Sequence, residues 1–427
     1  MTHAPLGFET RQIHAGEIVD REAGARVTPI YQTAGFVFDS FDDGAARFAD
    51  KQERPVYARL QNPTNAVAER RIADLEGGAG ALLTSSGQAA IVIALQALAG
   101  TGDRILSTSS LYEGTKVLFR TELTRQGLNF DFLDAEAPDE EWLARVTPRT
   151  KAIYTESIPN PKNDIPDIDR LARIADAAGI PLIVDNTVAT PYLLRPIEHG
   201  ATIVVHSTSK WLGGHGSVIG GALVDSGRFE WNAQADKYPQ LTQPAGPTAP
   251  SLTETFGSRA LLPFAAGLIN GYGPTLSAQS AFLLLLGLDT LSLRVERHVQ
   301  NAQRVAEWLA AHPAVAGVDY AGLPENRYHE RAQRLLPSGA GSVLAFDVRG
   351  GRDAARRVLD SLTLVTQMTH IGDVRTLAIH TGSTIHGRLT EEERLAIGIT
   401  PGLIRLSVGL ETVDDIIADL DQALARV

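Results

Sequence analysis

Lys210 follows the apolar run Ala201-Thr202-Ile203-Val204-Val205 after only His206-Ser207-Thr208-Ser209, and Gly213, Gly214 and Gly216 come just behind it. A lysine just past a buried strand stands at the carboxyl edge of a sheet. Burial there disfavours the ammonium form and leaves a neutral amine able to attack carbonyls. Ser207 and Ser209 offer hydroxyl donors without bulk, and the glycines let backbone come close to a ligand. The set suits a lysine in Schiff-base linkage beside a bound phosphate, the arrangement pyridoxal phosphate requires. A lysine snorkelling at a strand end is the commoner use of the residue, so the reading depends on what else reaches that edge.

Asp185 closes the apolar segment Ile180-Val184, one helix before the Lys210 strand, and should emerge on the same edge. A carboxylate there could keep a pyridine nitrogen protonated, or could simply cap a helix. Thr84-Ser85-Ser86-Gly87-Gln88-Ala89-Ala90 precedes a helix, where free N–H groups and the helix dipole bind anions. A serine cap and an anion site can share that helix end. Tyr112 could lie flat on an aromatic cofactor or be a buried structural tyrosine. Tyr57 and Arg59 fall in an irregular region, where Arg59 could clamp a phosphate or face solvent. Arg405, inside Leu403-Ile404-Arg405-Leu406-Ser407-Val408, is a charge in an apolar strand and needs a partner: a substrate carboxylate or an internal ion pair.

Other chemistries find little support. The chain has no cysteine, which removes disulfides, thiolate catalysis and cysteine-ligated metals. Its eleven histidines show no HExxH spacing, and Gly214-His215-Gly216 misses a dinucleotide fingerprint because Ile219 occupies the last glycine position. A formal charge of -11 with no dense basic run argues against nucleic acid. The first residues, Met1 to Gly16, lack an apolar signal core, and the longest apolar run, Ala281 to Leu288, is far short of the roughly 20 residues of a membrane span. The expectation is a soluble, cytoplasmic protein acting on small molecules, without nucleic acid, membrane or metal.

The elements that must position these residues can be read from periodicity. Asn65–Glu76 and Ser86–Leu98 have helical spacing, the first stopping at Gly77-Gly78. Short apolar strands then alternate with helices: Arg104–Ser107, helix 111–126, Asn129–Leu133, Lys151–Thr155, helix 167–178, Pro181–Asp185, Ala201–Val205 and Val218–Val224. This predicts an α/β fold with a mostly parallel, doubly wound sheet binding its ligand beyond the strands' carboxyl ends. Residues 230–275, rich in Pro, Gly, Thr and Gln, read as an extended loop. A long helix over Asp289–Ala311 leads to a smaller α+β domain: Ser342–Val348, helix 352–361, Thr363–Thr366, Ile404–Val408 and a last helix from Thr412, which with Asp415 gives a capping-box-like start. The expected domains are an amino-terminal segment 1–60 that packs on something else, conceivably a second subunit, a large domain 61–275 and a carboxyl-terminal small domain 276–427.

With these pieces assembled, the chain resembles the Cys/Met-metabolism family of pyridoxal-phosphate enzymes over nearly its whole length. The resemblance rests on Phe8-Glu9-Thr10 through Ile13-His14-Ala15-Gly16, Thr28-Pro29-Ile30-Tyr31-Gln32-Thr33, Tyr57-Ala58-Arg59 with Asn62-Pro63-Thr64, Ser86-Gly87-Gln88-Ala89-Ala90, Asp185-Asn186-Thr187, Ser207-Thr208-Ser209-Lys210 and Arg405-Leu406-Ser407-Val408-Gly409. It implies PLP-dependent transferase fold type I. The implied reaction is γ-replacement on O-acetylhomoserine, sulfide displacing acetate to give homocysteine. Cystathionine formation, use of the succinyl ester, and γ-elimination from methionine are the alternatives on the same scaffold.

The resemblance also implies residue roles. Lys210 would carry the Schiff base and shuttle protons, and Tyr112 would stack on the ring and assist the leaving group. Asp185 would pair with the ring nitrogen, Thr187 would lie on the ring's other face and Asn160 near its phenolic oxygen. Gly87, Gln88, Ser207 and Ser209 would hold the phosphate, with Tyr57 and Arg59 reaching it from a neighbouring subunit. That implies a catalytic dimer, commonly paired into a homotetramer. Arg405 would bind the substrate α-carboxylate. The chain departs from the family at Glu113, usually glycine, and at His370, typically asparagine in sulfhydrylases; both border the substrate pocket. Gly257–Gln279 departs as well. Gly114, where methionine γ-lyases carry cysteine, and the long 230–275 segment favour sulfide transfer over elimination.

Overall fold

The apolar segments around Lys210 are strands buried on both faces. In the computed structural model, which describes residues 6–49, 54–246 and 249–427, successive residues of each strand enter opposite cores. Val184, Val204 and Val224 pack with Ile72 and Leu75 on one side. Ile183, Val205 and Leu223 pack with Ile91 and Leu95 on the other. Such two-sided burial is why these strands read as continuous apolar runs rather than alternating ones.

The strands are β1 (Gly80–Thr84), β2 (Arg104–Thr108), β3 (Asn129–Leu133), β4 (Thr150–Glu156), β5 (Leu182–Asp185), β6 (Ile203–Ser207) and β7 (Gly221–Asp225). They form one sheet in the order β1-β7-β6-β5-β4-β2-β3. Every pair from β6 across to β3 is parallel, whereas β7 runs antiparallel to both β6 and β1. The sheet is therefore mostly parallel, as expected, with an antiparallel edge. β1 was not anticipated: its five residues begin one residue after Gly77-Gly78 and become a strand by pairing with β7.

Helix signals near the site act as the sequence suggests. Pro63–Glu76 begins with Asn62 accepting from the Thr64 N–H and ends at Gly77, whose φ of 74° only glycine adopts cheaply. Ile168–Ala178 starts with Asp167 accepting from the Arg170 N–H.

A second sheet contains β8 (Val315–Asp319), β9 (Val343–Val348), β10 (Thr366–Gln367), β11 (Leu377–His380) and β12 (Leu403–Ser407), in the order β10-β11-β12-β9-β8. It is antiparallel except between β10 and β11. Helices Leu291–Ala311 and Gly351–Ser361 pack on it, and Val413–Leu424 packs against both helices. β8 and β11 were missed in the sequence, and the strand expected at Thr363–Thr366 forms at Thr366–Gln367.

Three local expectations need correction. Residues 230–275 are not a loop, because Pro239–Thr242, Leu252–Phe256 and Leu261–Tyr272 are helical. Proline hid the first of these helices, although at a helix's opening position its missing N–H costs nothing. Ser251 and Glu254 form a complete capping box, and Trp231, Tyr238, Leu241, Leu261 and Ala265 are buried. The helix expected at 111–126 is a short α-helix, Glu113–Val117, that widens into π-type turns over Leu118–Leu123. Thr412 precedes the last helix without a side-chain capping bond. Among the described residues no single helix is long and apolar enough to cross a membrane. Ala278–Leu288 and Leu291–Ala311 reach that length only as a pair bent by 62°, and both supply buried core residues. Of the amino-terminal stretch, Met1–Pro5 lie outside the described residues.

Candidate active site

β5 and β6 end side by side at one edge of the large sheet, Asp185 opposite Val205. Two residues past β6 the chain turns, the Lys210 N–H donating to the Ser207 carbonyl at 3.2 Å. The turn is tied down from both sides. The Ser207 N–H donates to Thr187 Oγ1 at 2.8 Å, and Ser209 Oγ accepts from the Gly220 N–H at 3.0 Å. Lys210 thereby points into a cavity of about 450 Å³ also lined by Ser86, Gly87, Gln88, Tyr112, Asn160, Asp185, Thr187, Ser207, Ser209, His370 and Arg405. Burial first, and then the Arg405 charge, lower the Lys210 amine to about 8. Near neutral pH a usable fraction is therefore the free nucleophile. Its Nζ lies 2.9 Å from His370 Nδ1.

The cavity is also lined by two neighbouring carboxyls, Glu156 buried and Asp185 half-buried. Asp185 accepts from the Thr187 N–H at 3.0 Å and from the Tyr154 hydroxyl at 3.4 Å, both neutral donors. Burial raises its carboxyl above the ordinary range. Glu156, in register with Asp185 on β4, accepts the Tyr112 N–H at 2.8 Å. Burial and then the Asp185 charge push it well above a usual glutamate. A buried carboxyl of this kind matches a cationic ring nitrogen.

Another part of the lining is built for an anion. Ser86 caps the helix Gly87–Leu98 by accepting the Ala89 N–H at 3.1 Å, which leaves the Gly87 and Gln88 N–H groups at the helix start. A Cβ at Gly87 would stand 2.6 Å from Ser207 Cβ, so only glycine lets this helix end sit against β6. Gln88 Oε1 is buried without a hydrogen-bond partner. A phosphate-bearing pyridine fits this donor set, with Ser207 and Ser209 beside the helix end and Asp185 deeper in.

Tyr112 is 41 % exposed and precedes the helix Glu113–Val117. A Cβ on Gly114 would clash with the edge of the Tyr112 ring at Cε1 and Cζ, so the tyrosine lies over a glycine that makes room for it. Arg405, on β12, is 2 % exposed and lowered to about 10 by burial. Its guanidinium donates only to neutral oxygens: Asn160 Oδ1 at 3.1 Å, the Thr369 carbonyl at 2.7 Å and the His370 carbonyl at 3.2 Å. The internal ion pair that the sequence left open is thus not made with any acidic side chain among these contacts.

Not every candidate comes to this cavity. Tyr57 and Arg59 lie elsewhere on the chain, half exposed, with Arg59 stacked 5.6 Å over the Tyr57 ring and donating to the Asn270 carbonyl. Gly213 and Gly214 serve packing instead of ligand approach. A side chain at Gly213 would strike the Thr208 carbonyl and Val218, and one at Gly214 would strike Arg294; only Gly216 lines the cavity. Glu113 turns away toward Lys116 Nζ, at 3.8 Å, and His386 Nε2, at 3.9 Å. Sequence reasoning missed Glu156, Tyr154, Thr115, Met368 and Thr369. Glu156 carried a readable signal, since it ends an apolar strand in a carboxylate just as Asp185 does. No cluster of three or more metal-ligating side chains occurs among the described residues.

Comparison with known proteins gives a consistent result. The family model for the Cys/Met metabolism PLP-dependent enzymes matches residues 9–425. The chain is similar to the homocysteine synthase of Schizosaccharomyces pombe, 46% identical over 421 residues covering 98% of both chains. It is similar to O-acetyl-L-homoserine sulfhydrylase 1 of Thermus thermophilus, 46% identical over 98% of this chain and 100% of the other. Among solved structures, a putative O-acetylhomoserine (thiol)-lyase from Campylobacter jejuni, carrying a pyridoxyl-lysine, superposes with a TM-score of 0.92 at 37% identity, covering 98% of this chain and 100% of that one.

Proposed function

The chain belongs to the Cys/Met metabolism family of PLP-dependent enzymes, and on that premise we propose that it converts O-acetyl-L-homoserine and sulfide to L-homocysteine and acetate, in methionine metabolism. The relatives named homocysteine synthase and O-acetyl-L-homoserine sulfhydrylase support the choice of ester and nucleophile. The observation that carries the reading is Arg405. Its guanidinium is buried in the same cavity as the Lys210 amine and bound only to neutral oxygens, which leaves its charge free for a substrate carboxylate.

When bound, pyridoxal 5'-phosphate supplies an electron sink conjugated to the substrate α-carbon. Lys210 would link it, Asp185 would pair with its ring nitrogen, and the Gly87 and Gln88 amides with Ser207 and Ser209 would hold its phosphate. Tyr112 and Thr187 would border the ring, and Asn160, held by Arg405, would approach its phenolic oxygen. Arg405 grips the α-carboxylate and so orients the α-hydrogen toward Lys210, whose lowered amine takes that proton. The free Lys210 amine in turn takes a β-proton and returns it to the β-carbon once sulfide has added at the γ-carbon, while Tyr112 gives a proton to the departing acetate and regains one from the incoming hydrogen sulfide. His370 borders the substrate, and Lys210 returns a proton to the α-carbon.

The same reading makes the enzyme a cytoplasmic homotetramer assembled from catalytic dimers, in which Tyr57 and Arg59 complete a neighbour's phosphate site. The exposure of Tyr57 and of Phe41 and Phe48, at 44%, 90% and 71%, supports a partner surface on segment 1–60. Residues 61–275 form the cofactor-binding domain and 276–427 the smaller one.

The test is the holoenzyme's absorption spectrum and its products. O-acetylhomoserine should perturb the cofactor band and, with sulfide, give homocysteine and acetate. Lys210→Ala should lose the covalent cofactor link and turnover. Ketoacid released efficiently from methionine, or full activity in the alanine variant, would overturn the reading.

A further inference from the structure

His370 lies 160 positions along the chain from Lys210, on the segment between β10 and β11, yet its Nδ1 stands 2.9 Å from Lys210 Nζ. That segment is fastened to β12 at two points. The His370 carbonyl accepts from Arg405 Nη2 at 3.2 Å, and the Gly372 N–H donates to Ser407 Oγ at 2.9 Å. The backbone that carries the imidazole is therefore tied to the strand that carries Arg405.

The chemistry of the contact follows from its surroundings. Burial, then the Lys210 charge, lower His370 to about 4, whereas Lys210 stands at about 8. The proton of the pair stays on the lysine and the imidazole is neutral; an Nδ1 lone pair turned to the amine puts the ring's own proton on Nε2, which is buried without a partner. The charged or titratable groups facing the pair are Arg405 from β12 and Asp373 from His370's own segment. His370 is thus an acceptor and not the base.

We propose that His370 is a positioning residue for Lys210: its Nδ1 accepts the hydrogen bond of the free Lys210 amine and, through one segment, keeps the proton-moving lysine in register with the arginine that grips the substrate. This rests on the reading of Lys210 as the cofactor-linked base, and goes beyond it by giving that base a fixed partner drawn from the second sheet.

The test uses the full-length chain stripped of cofactor. The pH dependence of Lys210 carbamoylation by cyanate is read from the mass of its peptide. The wild type should give a midpoint near 8. His370→Leu removes an acceptor for the ammonium and should lower that midpoint by about one unit. His370→Asn, which restores an acceptor, should return it. In the holoenzyme His370→Leu should lower kcat about tenfold with KM for the amino-acid substrate changed less than about threefold, and His370→Asn should recover most of the loss. An unchanged midpoint in His370→Leu, or an equal shift in His370→Asn, overturns the proposal. Should the leucine variant fail to fold, the ring-nitrogen resonances of His370 decide: Nδ1 must move in Lys210→Met, and a stationary resonance overturns it. Failure of Lys210 as the cofactor lysine would show separately, as a borohydride-reducible cofactor retained in Lys210→Ala.

Discussion

Glu156 and Asp185 end neighbouring parallel strands in register, so two carboxyls, the first buried and the second half-buried, stand side by side at the carboxyl edge of the large sheet. Two such groups cannot both be ionised cheaply, and Glu156 is the one held well above its ordinary range. Protonated, it still accepts the Tyr112 N–H and so helps fix the start of the helix that carries Tyr112.

A division of labour between the two follows. Glu156→Gln keeps an acceptor at Tyr112 and should leave cofactor affinity and melting temperature near wild type. Glu156→Ala strands the Tyr112 N–H and should cost about 1–3 kcal/mol of stability. Asp185→Ala should instead weaken cofactor retention and reduce turnover by about a hundredfold or more. Spectroscopic cofactor titration and thermal melting of the three variants check this.

Arg405 donates to three oxygens from two segments in a fixed plane. Arg405→Lys keeps the charge but loses the fork, so kcat/KM for the homoserine ester should fall about a hundredfold. Cofactor content should be unchanged. Steady-state kinetics with cofactor absorbance read both.

Gly114 holds space for the Tyr112 ring. Gly114→Ala should push the ring off its seat at a cost of about 1–3 kcal/mol, and Gly114→Cys should do so further. Both should lower kcat by about tenfold or more, with altered cofactor absorbance as the readout. Wild-type spectra and rates in both variants would sink the prediction.

Asp225 offers a pH test remote from the cavity. It closes β7 fully buried, one oxygen accepting the Gly227 N–H at 3.0 Å and the other without a partner, and burial raises it to about 7. The folded chain thus holds this proton more tightly than the unfolded chain does. The associated stability is present below about pH 4 and is lost as pH rises toward 7. Asp225→Asn removes the titration, so its melting temperature relative to wild type should climb between pH 5 and 8. A difference that stays flat over that range would contradict the assignment.

Much of the site is local and could be read without a structure. Asp185, Lys210 and the Ser86–Gln88 helix start each belong to a strand end or helix start whose signal lies within a few residues. Burial of the large sheet on both faces leaves continuous apolar runs that any reader can find. β1 was illegible because five residues after a glycine pair become a strand only through pairing with β7. The first helix within 230–275, Pro239–Thr242, was hidden behind a proline that marks a break elsewhere but is harmless at a helix start.

What the amino-acid order determined by itself was therefore the chemistry: an amine, a carboxylate and an anion-binding helix end on one sheet edge, with a buried arginine to follow. What only the tertiary structure decided was who faces whom. His370 meets Lys210 across 160 positions and Asn160 meets Arg405 across 245. Contacts so distant in sequence leave no periodicity, because they arise from packing the second sheet against the edge of the first.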